Sequence, residues 1–212
     1  MAKRILFQGD SITDCSRDRQ SFYSMGNGFA NMVKAALGTD FPGEYEFVNR
    51  GIAGNRVAGL FARNEQDFIK LQPDYASIFV GINDVAQETQ REMETGRYEK
   101  VYTLLLEEIL EACPQIKLML IAPYVLPGTN TNSTEELPHR YERYTKGVAE
   151  KTAVARRLAE KFGLPLIELQ PAFEEACKKA PAEYWSYDGV HPTACGHELI
   201  KRLWLETFYK IK

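Results

Sequence analysis

Apolar runs of strand length alternate along this chain with longer stretches in which apolar residues recur at helical spacing. Residues 3–8, 45–49, 75–80, 117–122 and 164–168 read as strands. Between them, residues 29–37, 60–71, 98–112 and 141–162 carry the helical period, as in Leu104, Ile109 and Ala112, or Val148, Val154 and Leu158. A last helix is expected over 194–208, with Leu199, Ile200, Leu203 and Leu205 as its buried stripe. Strands this far apart, with a helix in each gap, need crossover connections. The pattern therefore predicts an α/β fold: one domain over residues 1–212, three-layered α/β/α, with a mostly parallel five-stranded sheet. No repeat or linker divides it. The longest stretch with neither period, residues 123–138, is rich in Thr, Asn, Gly and Pro, and loops of that length are usually functional or disordered.

Composition narrows the setting. With 212 residues, 44% hydrophobic and 26% charged, the chain can bury a sizeable core. No apolar run approaches the roughly 18 residues of a membrane span. The start, Met1-Ala2-Lys3-Arg4 followed by Ile5-Leu6-Phe7, meets Gln8-Gly9-Asp10 too soon for the core of a secretory leader. The initial methionine also argues against a trimmed leader, so a cytoplasmic location is expected. A net charge of −3 offers no polybasic footprint for nucleic acid or anionic lipid. Cys15, Cys113, Cys177 and Cys195 form no C-x-x-C pair, and with three histidines in the chain neither a structural zinc nor a disulfide framework is expected. Cys15 reads as a small apolar filler.

Four segments carry candidate chemistry. Gly9-Asp10-Ser11 turns the chain at the C-terminal end of the first strand, the rim where ligands collect in open α/β sheets. A serine there caps a helix or attacks a substrate. Asn49-Arg50-Gly51-Ile52-Ala53-Gly54-Asn55 follows the second strand and marks either a tight turn or a backbone N–H left free for a ligand oxygen. Gly81-Ile82-Asn83-Asp84 follows the third; an Asn there caps the next helix or presents an uncharged amide dipole to developing negative charge. In Asp188-Gly189-Val190-His191-Pro192, one local turn can hold a carboxylate against an imidazole and leave its other nitrogen as a general base. All four fall at strand ends or just before the last helix. Together Ser11, an N–H near Gly54, Asn83 and the Asp188/His191 pair supply a nucleophile, oxyanion donors, a base and its orienter, the parts of an acyl-transfer site.

With these motifs the chain resembles the SGNH (GDSL-like) hydrolases, whose Ser, Gly, Asn and His stand in order as Ser11, Gly54, Asn83 and His191. The second block is a single glycine, so Gly54 over Gly51 rests on spacing from Asn49. Within the family, Gly9 through Cys15, the 49–55 segment, Gly81-Ile82-Asn83-Asp84-Val85 and a Trp just before Asp-x-x-His look closest to bacterial intracellular acetylxylan esterases. The resemblance implies a flavodoxin-like sheet and a serine esterase with a Ser11, Asp188, His191 triad. It further implies an oxyanion hole of Ser11, Gly54 and Asn83, no cofactor and no metal, and acetylated oligosaccharides as substrates. Small-molecule esters are the expected partners, with self-association left open.

Several residues have competing readings. Asp10, Tyr184 and Trp185 are candidate substrate contacts, the two aromatics as a wall or a platform for a sugar ring. Asp14 and Arg17 either hydrogen-bond a polyol or form an ion pair. His139, at the end of the long loop, is a further candidate contact, whereas His197 falls inside the last helix and reads as packing. Glu107, Glu108 and Glu111 lie on a polar helix face. Rival functions are a lipase or lysophospholipase of the same family, a metal-dependent phosphoesterase using Asp10, Asn83, Asp84, Asp188 and His191, and a non-catalytic carbohydrate-binding protein. Activity with and without chelator separates the metal reading from the serine one.

Overall fold

A computed structural model describes residues 2–91 and 96–212. Five strands, β1 (Lys3–Gly9), β2 (Tyr45–Asn49), β3 (Tyr75–Phe79), β4 (Lys117–Ala122) and β5 (Leu166–Glu168), form one sheet in the order β2-β1-β3-β4-β5. Every pairing is parallel. Ten helices surround it among the described residues: α1 (Ser11–Asp14), α2 (Phe29–Asp40), α3 (Val57–Ala62), α4 (Asn64–Asp67), α5 (Ile82–Arg91), α6 (Gly96–Ala112), α7 (Arg140–Phe162), α8 (Leu169–Cys177), α9 (Ala182–Trp185) and α10 (Ala194–Ile211). None is long and apolar enough to cross a membrane.

Alternation along the central strands sorts the core into two layers. Ile5, Phe7 and Phe79 face α2, α8 and α10 through Phe29, Phe173, Trp204 and Phe208. Leu6, Ile78 and Leu120 face α3, α6 and the C-terminal half of α7 through Leu60, Leu106, Ile109 and Leu158. Trp204 lies between Phe7 and Phe208, with ring centroids 5.3 and 5.2 Å away. Truncating such a ring to alanine typically costs about 3–5 kcal/mol.

β1 is flanked by β2 and β3, so the chain reverses its direction of winding there and the C-terminal ends of β1 and β3 open a crevice. That crevice holds Ser11, just after β1, and Asn83, just after β3.

The helical pattern over 60–71 is broken into α3, α4 and a 3₁₀ turn, Ile69–Leu71. Its backbone leaves helical geometry at Arg63 (φ −114°, ψ 11°) and again at Phe68 (φ −138°, ψ −66°). The Arg63 side chain turns back to the 50–55 loop, and Phe68 is fully buried. α8 lies outside the expected helices; its Pro171 falls in the first turn, where a missing N–H costs nothing. In α10 the buried stripe is Ile200, Trp204 and Phe208, one residue every fourth, while Leu199, Leu203 and Leu205 flank it. Leu104 is likewise half-exposed, because Tyr98, Tyr102, Leu105 and Ile109 define the inner face of α6.

Candidate active site

At the end of β1 the Asp10 carboxylate accepts the Ile12 N–H at 3.0 Å, capping α1 and making Ser11 its first residue. Ser11 Oγ lies 3.0 Å from His191 Nε2, and His191 Nδ1 lies 2.7 Å from Asp188 Oδ2. With Nδ1–H donated to the carboxylate, the Nε2 lone pair is left to accept the serine hydroxyl. The other Asp188 oxygen accepts the N–H groups of Val190 (2.9 Å) and His191 (2.8 Å). Burial works to raise the Asp188 pKa, but these hydrogen bonds and the imidazole outweigh it, holding the carboxyl below the usual range.

The two glycines of the second segment differ sharply. Gly51 spends its N–H on Asn49 Oδ1 (2.8 Å), and a Cβ there would lie 2.2 Å from the Asp14 nitrogen. Gly54 sits at φ +79° with open space around it, and among the described residues its N–H has no protein partner. From the third segment, Asn83 Nδ2 donates to the Asn55 carbonyl at 3.1 Å. The amide nitrogen carries two hydrogens, so one remains for a ligand. An open cleft of about 560 Å³ lies over Ser11 and His191, walled by Arg17, Arg19, Ala53 and Tyr187. Ser11 and His191, hydrogen-bonded to each other, are therefore both open to this cleft.

The model of the GDSL-like lipase/acylhydrolase family matches residues 7–199. The chain belongs to this family. As a GDSL-like acylhydrolase it is a carboxylic ester hydrolase. An acetylxylan esterase from Geobacillus stearothermophilus is 32% identical over 215 residues, spanning 96% of this chain and 92% of that one. The crystal structure of an acetylxylan esterase from the same organism superposes with a TM-score of 0.78, at 32% identity over 97% of this chain and 93% of that one. A Parabacteroides merdae protein described as a GDSL-like lipase gives 0.88, at 34% identity over 100% and 98%. Catalytic mutants of the Geobacillus enzyme replace a serine, an aspartate, or a histidine three residues after that aspartate.

Other positions in this GDSL-like hydrolase depart from the sequence reading. Asp10, expected as a substrate contact, is fully buried as the α1 cap and does not line the cleft. Tyr184 and Trp185 line a separate groove between α8, α9 and α10, because α9 turns them away from Ser11; Trp185 Nε1 donates to the Ala180 carbonyl. The aromatic side chain in the cleft is Tyr187, beside Asp188 and 72% exposed. Its place directly before the Asp-x-x-His turn was the available signal.

The long loop also has a use that composition concealed. Asn130 Nδ2 donates to Asp188 Oδ2 at 2.7 Å, and Asn130 N–H to the Asp188 carbonyl at 2.9 Å. Tyr124 Oη donates to the Val190 carbonyl at 2.9 Å. Residues 124–131 thus buttress the acid–base turn. Asp14 is buried and accepts the Ala53 N–H (3.0 Å) and the Arg19 guanidinium (2.5 Å), while Arg17 Nε donates to the Gly51 carbonyl (2.9 Å). His197 is buried; its Nδ1 accepts the Phe29 N–H at 3.1 Å, and burial lowers its pKa to about 4. Cys15 Sγ lies 3.5 Å from His197 Nε2, and burial pushes the thiol pKa up. His139 is exposed, 3.4 Å from Glu142. Among the described residues, no three His, Cys, Asp or Glu side chains group as a metal site would require.

Burial raises Asp10 to about 7, and its Oδ2 has no hydrogen-bond partner among the described residues. The folded-state pKa exceeds the unfolded one, so this contribution to stability is present at low pH and is lost as pH rises through about 7. Asp10→Asn keeps a capping oxygen and cannot ionise. Its melting temperature should therefore fall less than the wild-type value between about pH 5 and about pH 8; parallel melting curves across that range would contradict the assignment.

Proposed function

We propose that this hydrolase removes acetyl groups from the hydroxyls of small carbohydrates by a two-step serine mechanism without a cofactor. The observation that carries the reading is the continuous line from Ser11 Oγ through His191 to Asp188, with links of 3.0 and 2.7 Å. His191 Nε2 takes the Ser11 proton as Oγ attacks the ester carbonyl, and Asp188 stabilises the imidazolium that forms. The Ser11 N–H, at the start of α1, joins the Gly54 N–H and the Asn83 amide around the oxyanion. His191 then returns its proton to the departing sugar oxygen. Water then gives a proton to the same nitrogen as it attacks the acyl carbon; the bond to Oγ breaks, Oγ takes that proton back from His191, and the acetyl group leaves as acetic acid.

The walls of the cleft support the substrate class. Arg17, Arg19 and Tyr187 offer guanidinium and phenol groups to a hydroxyl-rich alcohol. Ile12, Ala53 and Pro192 give apolar surface that suits a methyl group. Relatives named as acetylxylan and acetyl-xylooligosaccharide esterases support the same choice. A long acyl groove would add about 0.8 kcal/mol per buried methylene, roughly a fourfold gain in affinity.

Catalytic efficiency should therefore peak at acetyl across acetyl, butyryl and octanoyl esters of one leaving group, and acetylated xylobiose should exceed a simple alkyl acetate. A maximum at octanoyl would move the protein to the lipase side of the family. Indifference to the sugar would remove the carbohydrate part of the reading.

A further inference from the structure

We infer that Arg63 is a positioning residue for the oxyanion donors, a single guanidinium that ties all three donor-bearing segments together. The inference rests on the oxyanion reading above. Arg63 begins the short connection at the end of α3, and its side chain is 15% exposed. Its Nε donates to Asn55 Oδ1 at 2.8 Å, Nη1 to the Arg50 carbonyl at 2.8 Å, and Nη2 to the Gly9 carbonyl at 3.2 Å. Nη1 also meets Asp67 Oδ2 at 2.8 Å, a further anchor for the group.

Through these contacts the guanidinium reaches all three donors, Asn83 only by way of Asn55. Gly9 precedes the Asp10–Ser11 turn that sets the Ser11 N–H. Arg50 and Asn55 bracket the loop that carries Gly54. The Asn55 carbonyl in turn accepts one hydrogen of Asn83 Nδ2 at 3.1 Å, which aims the other. Gly54, at φ +79°, has no side chain of its own to fix its peptide. Its neighbours do so instead: Ala53 through the Asp14 carboxylate at 3.0 Å, and Asn55 through Arg63. A planar fork with five donors suits this task, because one rigid group meets several carbonyls in fixed directions. A lysine supplies one point charge and cannot span them.

The helical break at Arg63 fits the same role. The interruption falls at Arg63 itself, where φ is −114° and ψ 11°.

The test compares Arg63→Gln, Arg63→Lys, Asn55→Ala and Asp67→Asn with wild type, measuring kcat and KM for a soluble acetyl ester and the melting temperature of each. Both Arg63 variants should lose about tenfold or more in kcat with KM nearly unchanged, less than the roughly 10²–10³ lost with an oxyanion donor itself. Asn55→Ala, which keeps its backbone carbonyl and the fold, should reproduce part of that loss. Asp67→Asn, which keeps an amide oxygen for Nη1, should lower the melting temperature and lose less kcat than either Arg63 variant. In an Asn83→Ala background the Arg63→Gln loss should shrink, because one of the donors it positions is gone. Wild-type kcat in both Arg63→Lys and Asn55→Ala would overturn the inference, as would kcat losses that merely track melting temperature across all four variants. If Asn83→Ala alone keeps full activity, the oxyanion reading fails first; if only the Arg63 and Asn55 variants keep it, that reading stands and this inference falls.

Discussion

Ser11→Ala and His191→Ala are each expected to lower ester hydrolysis on the order of 10⁴-fold or more, with the fold intact. The proposal makes serine and imidazole one unit: without Nε2 the hydroxyl keeps its proton, and without Oγ the base has nothing to activate. The double variant should therefore be about as slow as the slower single variant. Its residual rate reflects the oxyanion donors and substrate binding, which neither substitution touches. Steady-state kinetics of the three variants, with circular dichroism to verify folding, checks this. Losses that multiply would mean that the two residues act independently, and the triad reading would be wrong.

Asp188→Asn carries the second large effect, a fall in kcat of about 10⁴-fold. Asp188 Oδ2 accepts the proton on His191 Nδ1 at 2.7 Å. An asparagine amide turned toward Nδ1 would donate instead, moving the imidazole proton to Nε2, where it opposes the serine hydroxyl. Asp84→Asn should be far milder: Asp84 Oδ2 accepts the Val57 N–H at 3.2 Å, and burial raises its pKa to about 7, so a neutral amide suits the site. Asp14→Asn should fall between, since Asp14 holds the Ala53 N–H without touching His191. Kinetics of all three at constant pH decide the order. Equal losses at Asp188, Asp14 and Asp84, restored by added metal, would favour a metal-dependent phosphoesterase.

Much of this was legible in the chain because the relevant signals are local. Each sheet strand is a short apolar run, and the crossover rule then fixes parallel pairing without knowledge of contacts. The hydrogen-bonded line of Ser11, His191 and Asp188 follows similarly: Asp188 and His191 share one turn, and Ser11 sits at a strand end. What stayed hidden depends on where a side chain turns after the backbone is placed. The short α9 directs Trp185 into the groove beside α8, and Tyr187, two residues on, enters the cleft instead. Asn130 reads as one more polar loop residue until Asp188, 58 positions away, is brought against it. Arg63 lies within a continuous helical period, and only the break in the backbone reveals that its guanidinium faces the loop. Asp10 has the residue type of a substrate contact, but it is fully buried and one of its carboxylate oxygens caps α1.

The central claim is that Ser11 is the activated nucleophile, and covalent labelling tests it most directly. The protein is incubated with a fluorophosphonate, which forms a tetrahedral adduct on a serine activated by a base, and the modified peptide is mapped by mass spectrometry. The account predicts one adduct per chain on Ser11, hydrolysis lost in proportion to labelling, and much slower labelling of His191→Ala. Inactivation with Ser11 unmodified, or full activity with Ser11 stoichiometrically modified, would contradict it.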